Sequence, residues 1–156
     1  MCTIVYLVQH GEAKPESEDP DRSLTARGRE EVSLVARHAA GMGVKVARIF
    51  HSGKLRAKQT AEILAEHLHP ADGVEEARGL SPMDPPESAR SLIEDAKEPV
   101  MVVGHLPHLS RLLSLIVMGN PEMEVVRFRK GGIVSLAKSD MKWSVAWILT
   151  PDIVRR

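Results

Sequence analysis

Two histidines and one arginine carry the chemistry open to this sequence. His10 closes the apolar run Thr3-Ile4-Val5-Tyr6-Leu7-Val8-Gln9 and is followed at once by Gly11 and Glu12. His105 closes a second run, Pro99-Val100-Met101-Val102-Val103-Gly104, and is followed by Leu106-Pro107. Arg56 lies between them in the chain, shortly after His51-Ser52-Gly53. Glycine beside such a histidine lets the backbone turn sharply and lets another group come close. A histidine that attacks must be neutral, fixed in one tautomer, and near an electrophile whose charge is compensated. Arginine offers a planar fork to two phosphate oxygens, and a helix start adds N–H groups and positive field. Histidine, arginine and histidine together suit phosphoryl transfer through a phosphohistidine.

Other chemistries find less support. There is no glycine-rich nucleotide loop with lysine, and no carboxylate cluster that would hold magnesium. A reaction without metal or cofactor is therefore expected. His67 and His69 sit close together, but no further ligand spacing accompanies them, and they read as an exposed helix terminus.

For the three residues to meet, strands must deliver them to one edge of a sheet, and the hydrophobic patterning supplies such strands. The runs ending at His10 and His105 are apolar throughout and rich in β-branched residues, as in strands buried on both faces of a parallel sheet. Chemistry in open α/β sheets lies at the carboxyl ends of strands. Between the runs, a polar loop over 14–22 precedes a helix that Thr25 can cap and that Gly41 and Gly43 stop. A strand is predicted over 44–50, a helix over 54–68 with Ser52 as its cap, an edge strand over 74–80 and a helix over 87–97. Pro107 suits the first turn of a helix over 106–118, and His108 is placed at a pocket rim or on the surface. A hairpin is predicted from 124–129 and 133–137 around Gly131-Gly132, and a last strand over 141–149 with Trp143 and Trp147 on one face. The expected fold is α/β, a three-layer α/β/α sandwich whose mostly parallel central sheet has an antiparallel edge.

The totals agree with one domain spanning 1–156. Apolar residues make up 43% and aromatics 3%, so aliphatic side chains must fill the core. Twenty-one basic residues balance 21 acidic ones, which argues against a nucleic-acid or membrane-surface binder. The one cysteine, Cys2, cannot build a disulfide framework, and a reducing, cytoplasmic setting is expected. The opening apolar run is too short to span a membrane and lacks a basic leader. Nothing in the sequence fixes an oligomeric state.

Four blocks in order carry a family resemblance. Leu7 to Ala13, Asp21-Arg22-Ser23-Leu24-Thr25 with Gly28, Ser52 to Ala61, and Val103-Gly104-His105-Leu106-Pro107 resemble the successive blocks of the histidine phosphatase superfamily, also called phosphoglycerate-mutase-like. The short length, and Leu80-Ser81-Pro82 where larger members carry a glutamate, look most like the small bacterial protein-phosphohistidine phosphatases of the SixA type. The resemblance implies that His10 attacks phosphorus and becomes phosphorylated, that Arg56 holds phosphate oxygens, and that His105 donates to the phosphoryl group. Arg22 is a further phosphate contact or a solvated loop residue, and Ser52 a phosphate donor or, by preference, a helix cap. Two departures stand out. Gln9 occupies the position of the family arginine before the nucleophile, a phosphate contact without charge, which Lys54 or Lys130 could restore. No glutamate acid follows the third block; Glu12 and Asp84 are the remaining candidates, and a phosphoramidate can instead be protonated on its own nitrogen. The expected substrate is phosphohistidine on a protein partner. The alternatives are a small phosphomonoester, or phosphate binding with weak or no turnover because of Gln9.

Overall fold

The computed structural model describes residues 3–155, so Cys2, on which the redox expectation rests, lies outside the described residues. Six strands form one sheet in the order β3-β2-β4-β1-β5-β6. Strand β1 (Thr3–Gln9) runs parallel to β4 (Val100–Gly104), β4 parallel to β2 (Arg48–His51), and β2 parallel to β3 (Val74–Glu76). Strands β5 (Ile133–Ser139) and β6 (Lys142–Leu149) complete the other edge as an antiparallel pair, β5 also running antiparallel to β1. The expected mixed sheet is thus present.

Alternation along β1 divides the core in two. Tyr6 and Val8 face one way, onto helices α1 (Ala26–Gly41) and α2 (Leu55–Leu68), through Val32, Val35, Ala61 and Leu64. Val5 and Leu7 face the other, onto Ile93 of α3 (Arg90–Glu94) and Leu109, Leu112 and Leu113 of α4 (His108–Met118). Helices cover both faces, as the apolar strands require. A final short helix, α5 (Pro151–Val154), packs beside α1. Thr25 caps α1 as expected, its Oγ1 accepting the Gly28 N–H at 2.9 Å.

Several boundaries move for identifiable reasons. Val44 and Val46 are buried but lie outside β2, because β4 begins only at Val100 and offers no ladder partner before Arg48. Strand β3 stops at Glu76 because β2, its partner, ends at His51. The helix predicted over 87–97 is a 3-10 turn, Pro86–Ala89, running into α3. Helix α4 starts at His108, with Pro107 at its N-cap rather than in the first turn. His69 closes α2 as an exposed left-handed cap, its N–H bonded to the Ala65 carbonyl.

The predicted hairpin is in the wrong place. Residues 124–129 form no strand, and Val126 and Phe128 instead cover the second core cluster. The true hairpin joins β5 to β6 through Asp140 and Met141, both with positive φ (50 and 68°), the backbone of a two-residue type I′ turn. The two tryptophans also part company. A bulge between Ser135 and Leu136 in the β5–β6 register flips the alternation, so Trp143 joins the second cluster and Trp147 packs on Tyr6 in the first.

Candidate active site

Parallel register brings the strand-end residues together. Gln9 lies opposite Gly104 and His51 opposite Val103, so β1, β4 and β2 all end at one edge of the sheet. There the His10 N–H donates to the Gly104 carbonyl at 3.1 Å. The rings of His10 and His105 are 5.0 Å apart between centroids and inclined at 52°. Both are buried, at 7% and 1% exposure. The two histidines expected to meet do so.

The surroundings select the tautomer of His10. Its Nδ1 is 2.7 Å from the Gly11 carbonyl, an acceptor only, so Nδ1 carries the proton and Nε2 keeps its lone pair. Burial lowers the His10 pKa to about 4; the Gly11 bond opposes this, and Arg56, Arg22 and Lys130 push it further down. At neutral pH the ring is therefore uncharged, as a nucleophile must be. Glycine is required on both sides of this arrangement. A Cβ at Gly11 would sit 2.7 Å from the Val32 side chain, and one at Gly28 would overlap the Glu12 carbonyl.

Thr60 couples this turn to the arginine-bearing helix. Its hydroxyl donates to the Arg56 carbonyl at 2.8 Å and accepts the Gly11 N–H at 3.0 Å. The residue after His10 is thus tied to the helix turn that begins at Arg56. The sequence places Arg56 and Thr60 on one helix face, four apart, but a contact from Thr60 to a glycine far away in the chain leaves no local signal.

Arg56 is half-buried, and its Nε has no partner. Its charge helps to depress both His10 and His105. Arg22 adopts a left-handed backbone (φ 52°) and donates from Nε to the Lys14 carbonyl at 3.0 Å. Its charge acts on His10 and on Arg56, and the residue is half-buried. The loop carrying it is pinned where the Leu24 N–H donates to Gln59 Oε1 at 2.8 Å.

His105 is held down to about 3, first by burial and then by His10, Arg56 and Lys54. Its Nε2 lies 2.6 Å from Ser52 Oγ, while its Nδ1 is unpartnered. Ser52 also accepts the Lys54 N–H at 3.3 Å. Ser52 is thus not the cap expected of it: the N-cap of α2 is Lys54, which has no side-chain cap, and the Ser52 hydroxyl meets the His105 ring instead.

The remaining candidates are differently placed. Gln9 is buried, with Oε1 unpartnered. Glu12 accepts from Thr25 Oγ1 at 3.3 Å and lies 4.0 Å from Arg27, which draws it toward α1. Asp84 accepts the Ser81 N–H at 2.9 Å and acts on His108, so it organises the loop over 81–84. His108 itself is completely buried, contrary to the expected rim position, with its ring nitrogens near the Gly79 and Pro85 carbonyls but outside bonding geometry. A cleft of about 740 Å³ beside the strand ends is lined by Gln9, Glu12, Leu106, Phe128 and Lys130 among others. A second, of about 480 Å³, is lined by Arg22, Lys54 and Arg56.

Comparisons with known proteins identify the family and the fold. Residues 5–85 match the family model of the histidine phosphatase superfamily (branch 1). Over 142 residues the chain is 34% identical to an uncharacterised protein of Picosynechococcus sp., covering 85% of this chain and 83% of the relative. It is 28% identical over 120 residues to the phosphohistidine phosphatase SixA of Escherichia coli, covering 74% of each. A solved structure of the protein histidine phosphatase SixA complexed with tungstate superposes with a TM-score of 0.82 at 26% identity, over 97% of this chain and 99% of the other.

Proposed function

The chain belongs to the histidine phosphatase superfamily, and from that premise we propose that it hydrolyses phosphohistidine on a partner protein through a covalent phosphohistidine on His10. One observation carries the reading: a buried, neutral imidazole whose Nδ1 proton is engaged by Gly11, leaving Nε2 free beside a second imidazole. The likeness to SixA over nearly the whole chain supports phosphohistidine as the substrate class. That SixA was solved complexed with tungstate, a tetrahedral oxyanion, which supports an oxyanion ligand for this fold.

In this mechanism His10 Nε2 attacks phosphorus. The bond from phosphorus to the partner's imidazole nitrogen breaks, and that nitrogen keeps the electron pair and takes a proton from solvent. A phosphoramidate nitrogen is basic enough for this to proceed without an enzyme carboxylic acid. Water then attacks the phosphorus on His10, the bond to Nε2 breaks, and inorganic phosphate leaves with the protons of water. Arg56, joined by Arg22 and an N–H of His105, offsets the charge on the equatorial oxygens, so the reaction runs without a metal.

Phosphate release from phosphoramidate, a phosphohistidine peptide and p-nitrophenyl phosphate tests the reading, with His10→Ala as control. Turnover of the first two, abolished in the variant, is expected. Turnover of p-nitrophenyl phosphate alone would make the substrate a small phosphomonoester. Inactivity toward all three with phosphate still bound would make the protein a binding module, and turnover retained by His10→Ala would remove His10 from the nucleophile's role.

A further inference from the structure

We infer that Lys130 supplies the phosphate-binding charge next to the nucleophile that the neutral Gln9 does not, from a neighbouring chain segment held in register against it. This deepens the proposed function and rests on the strand-end site being a phosphate site.

Gln9 immediately precedes His10 and lies against the large cleft, yet it brings no charge and its buried Oε1 has no partner. The segment that crosses beside it is fixed by backbone contacts. Gln9 and Lys130 form a parallel bridge, and the Gly131 N–H donates to the Gln9 carbonyl at 2.9 Å. The next residues run directly into β5, which is antiparallel to β1. Lys130 is therefore carried at the level of the nucleophile by the sheet, and not by a free loop.

The other cations of the cleft do not fill this role. Arg27 pairs with Glu31 at 3.6 Å and approaches Glu12 at 4.0 Å, while Arg155 lies 3.6 Å from Glu30 and 3.7 Å from Glu31. Lys130 is exposed and has no ion pair with a described residue. Its neighbour Arg129 is also exposed, but the bridge to Gln9 is made by Lys130. The charge of Lys130 is felt by His10. Lys54, the other candidate, stands at the start of α2 and acts on His105 instead. An ammonium on a flexible stem can reach a bound dianion without the fixed geometry an arginine would need.

The test measures inorganic phosphate binding by calorimetry, alongside turnover of phosphoramidate. The variants are Lys130→Met, Lys130→Arg, Lys54→Met, Gln9→Arg and the double variant Gln9→Arg/Lys130→Met. Replacing a charge-assisted contact with none should raise the phosphate Kd about tenfold in Lys130→Met. Lys130→Arg should keep most of the affinity, and Gln9→Arg should restore it in the Lys130→Met background while adding less to the wild type. Phosphate affinity unchanged in Lys130→Met, a larger loss in Lys54→Met, or additive effects of positions 9 and 130 would each overturn the inference. The two readings fail separately. Lys130-dependent phosphate binding without turnover would sink the hydrolase and leave this assignment standing. Turnover with Lys130-independent binding would do the reverse, and a wild type that binds no phosphate would end both.

Discussion

Acidification from neutral pH should loosen this fold, because histidines at its centre, His10 and His105 foremost, are buried uncharged. In the unfolded chain an imidazole titrates near 6.5. In the fold His10 is held down to about 4 and His105 to about 3, burial being the largest cause in each. The folded values lie below the unfolded ones, so between them the unfolded chain binds protons that the native state refuses. Stability is therefore full above the unfolded pKa, falls as the pH drops through it, and levels off only near the folded values. Linkage over the interval from about pH 7 to about pH 5 gives a loss of about 2 kcal/mol for each ring, or about 4 kcal/mol together. At 7% and 1% exposure, neither ring is screened by much water. Burial also lowers His51 and His108, which act in the same direction. A loss of this size is a large share of the roughly 5–15 kcal/mol that holds a domain together. Urea unfolding across that pH interval would measure it, in buffers free of phosphate so that anion binding does not stabilise the native state. The double variant His10→Asn/His105→Asn provides the control: a cavity would shift its curve as a whole, whereas loss of the two titrations would make it shallower, leaving the part due to His51 and His108. Stability that stays constant in the wild type, or a slope as steep in the double variant as in the wild type, would refute the reasoning.

Two further substitutions probe how the site is held. Thr60→Val keeps the shape but leaves the buried Gly11 N–H without its acceptor, which should cost about 1–3 kcal/mol of stability and reduce turnover; unchanged unfolding and unchanged kcat would show that the tie is dispensable. Ser52→Ala removes the hydroxyl 2.6 Å from His105 Nε2 and should lower kcat more than KM, with little change in Tm because Ser52 is only partly buried. A variant with wild-type kcat would mean that His105 is held well enough by its packing.

How much of this could be read beforehand depended on whether the signal was local. The strands ending at His10 and His105 announce themselves by unbroken apolar runs, and parallel register then brings their ends together. Thr25 at the start of α1 is a cap that local chemistry dictates. The hairpin was missed because Asp140 and Met141 take left-handed backbones without a glycine to advertise them, while Gly131-Gly132 imitates a turn. The parting of Trp143 from Trp147 depends on an extra residue in their own strand, Ala146, which slips out of register with β5 and which residue spacing alone does not reveal. His108, polar and close to His105, reads as a rim residue, yet tertiary packing buries it completely. Within the site, residue types disclosed His10, Arg56 and His105, but the dual contact of Ser52 and the bond from Thr60 to Gly11 exist only once distant segments have met.

The central claim is a covalent bond between phosphorus and His10 Nε2, and trapping it is the most direct measurement. The protein would be mixed with phosphoramidate, quenched in base, digested and mapped by mass spectrometry. A single phosphoryl group on His10, acid-labile, formed within one turnover and absent from His10→Ala, is the predicted result. Turnover that proceeds with no label on His10, or with the label on another residue, would contradict the account.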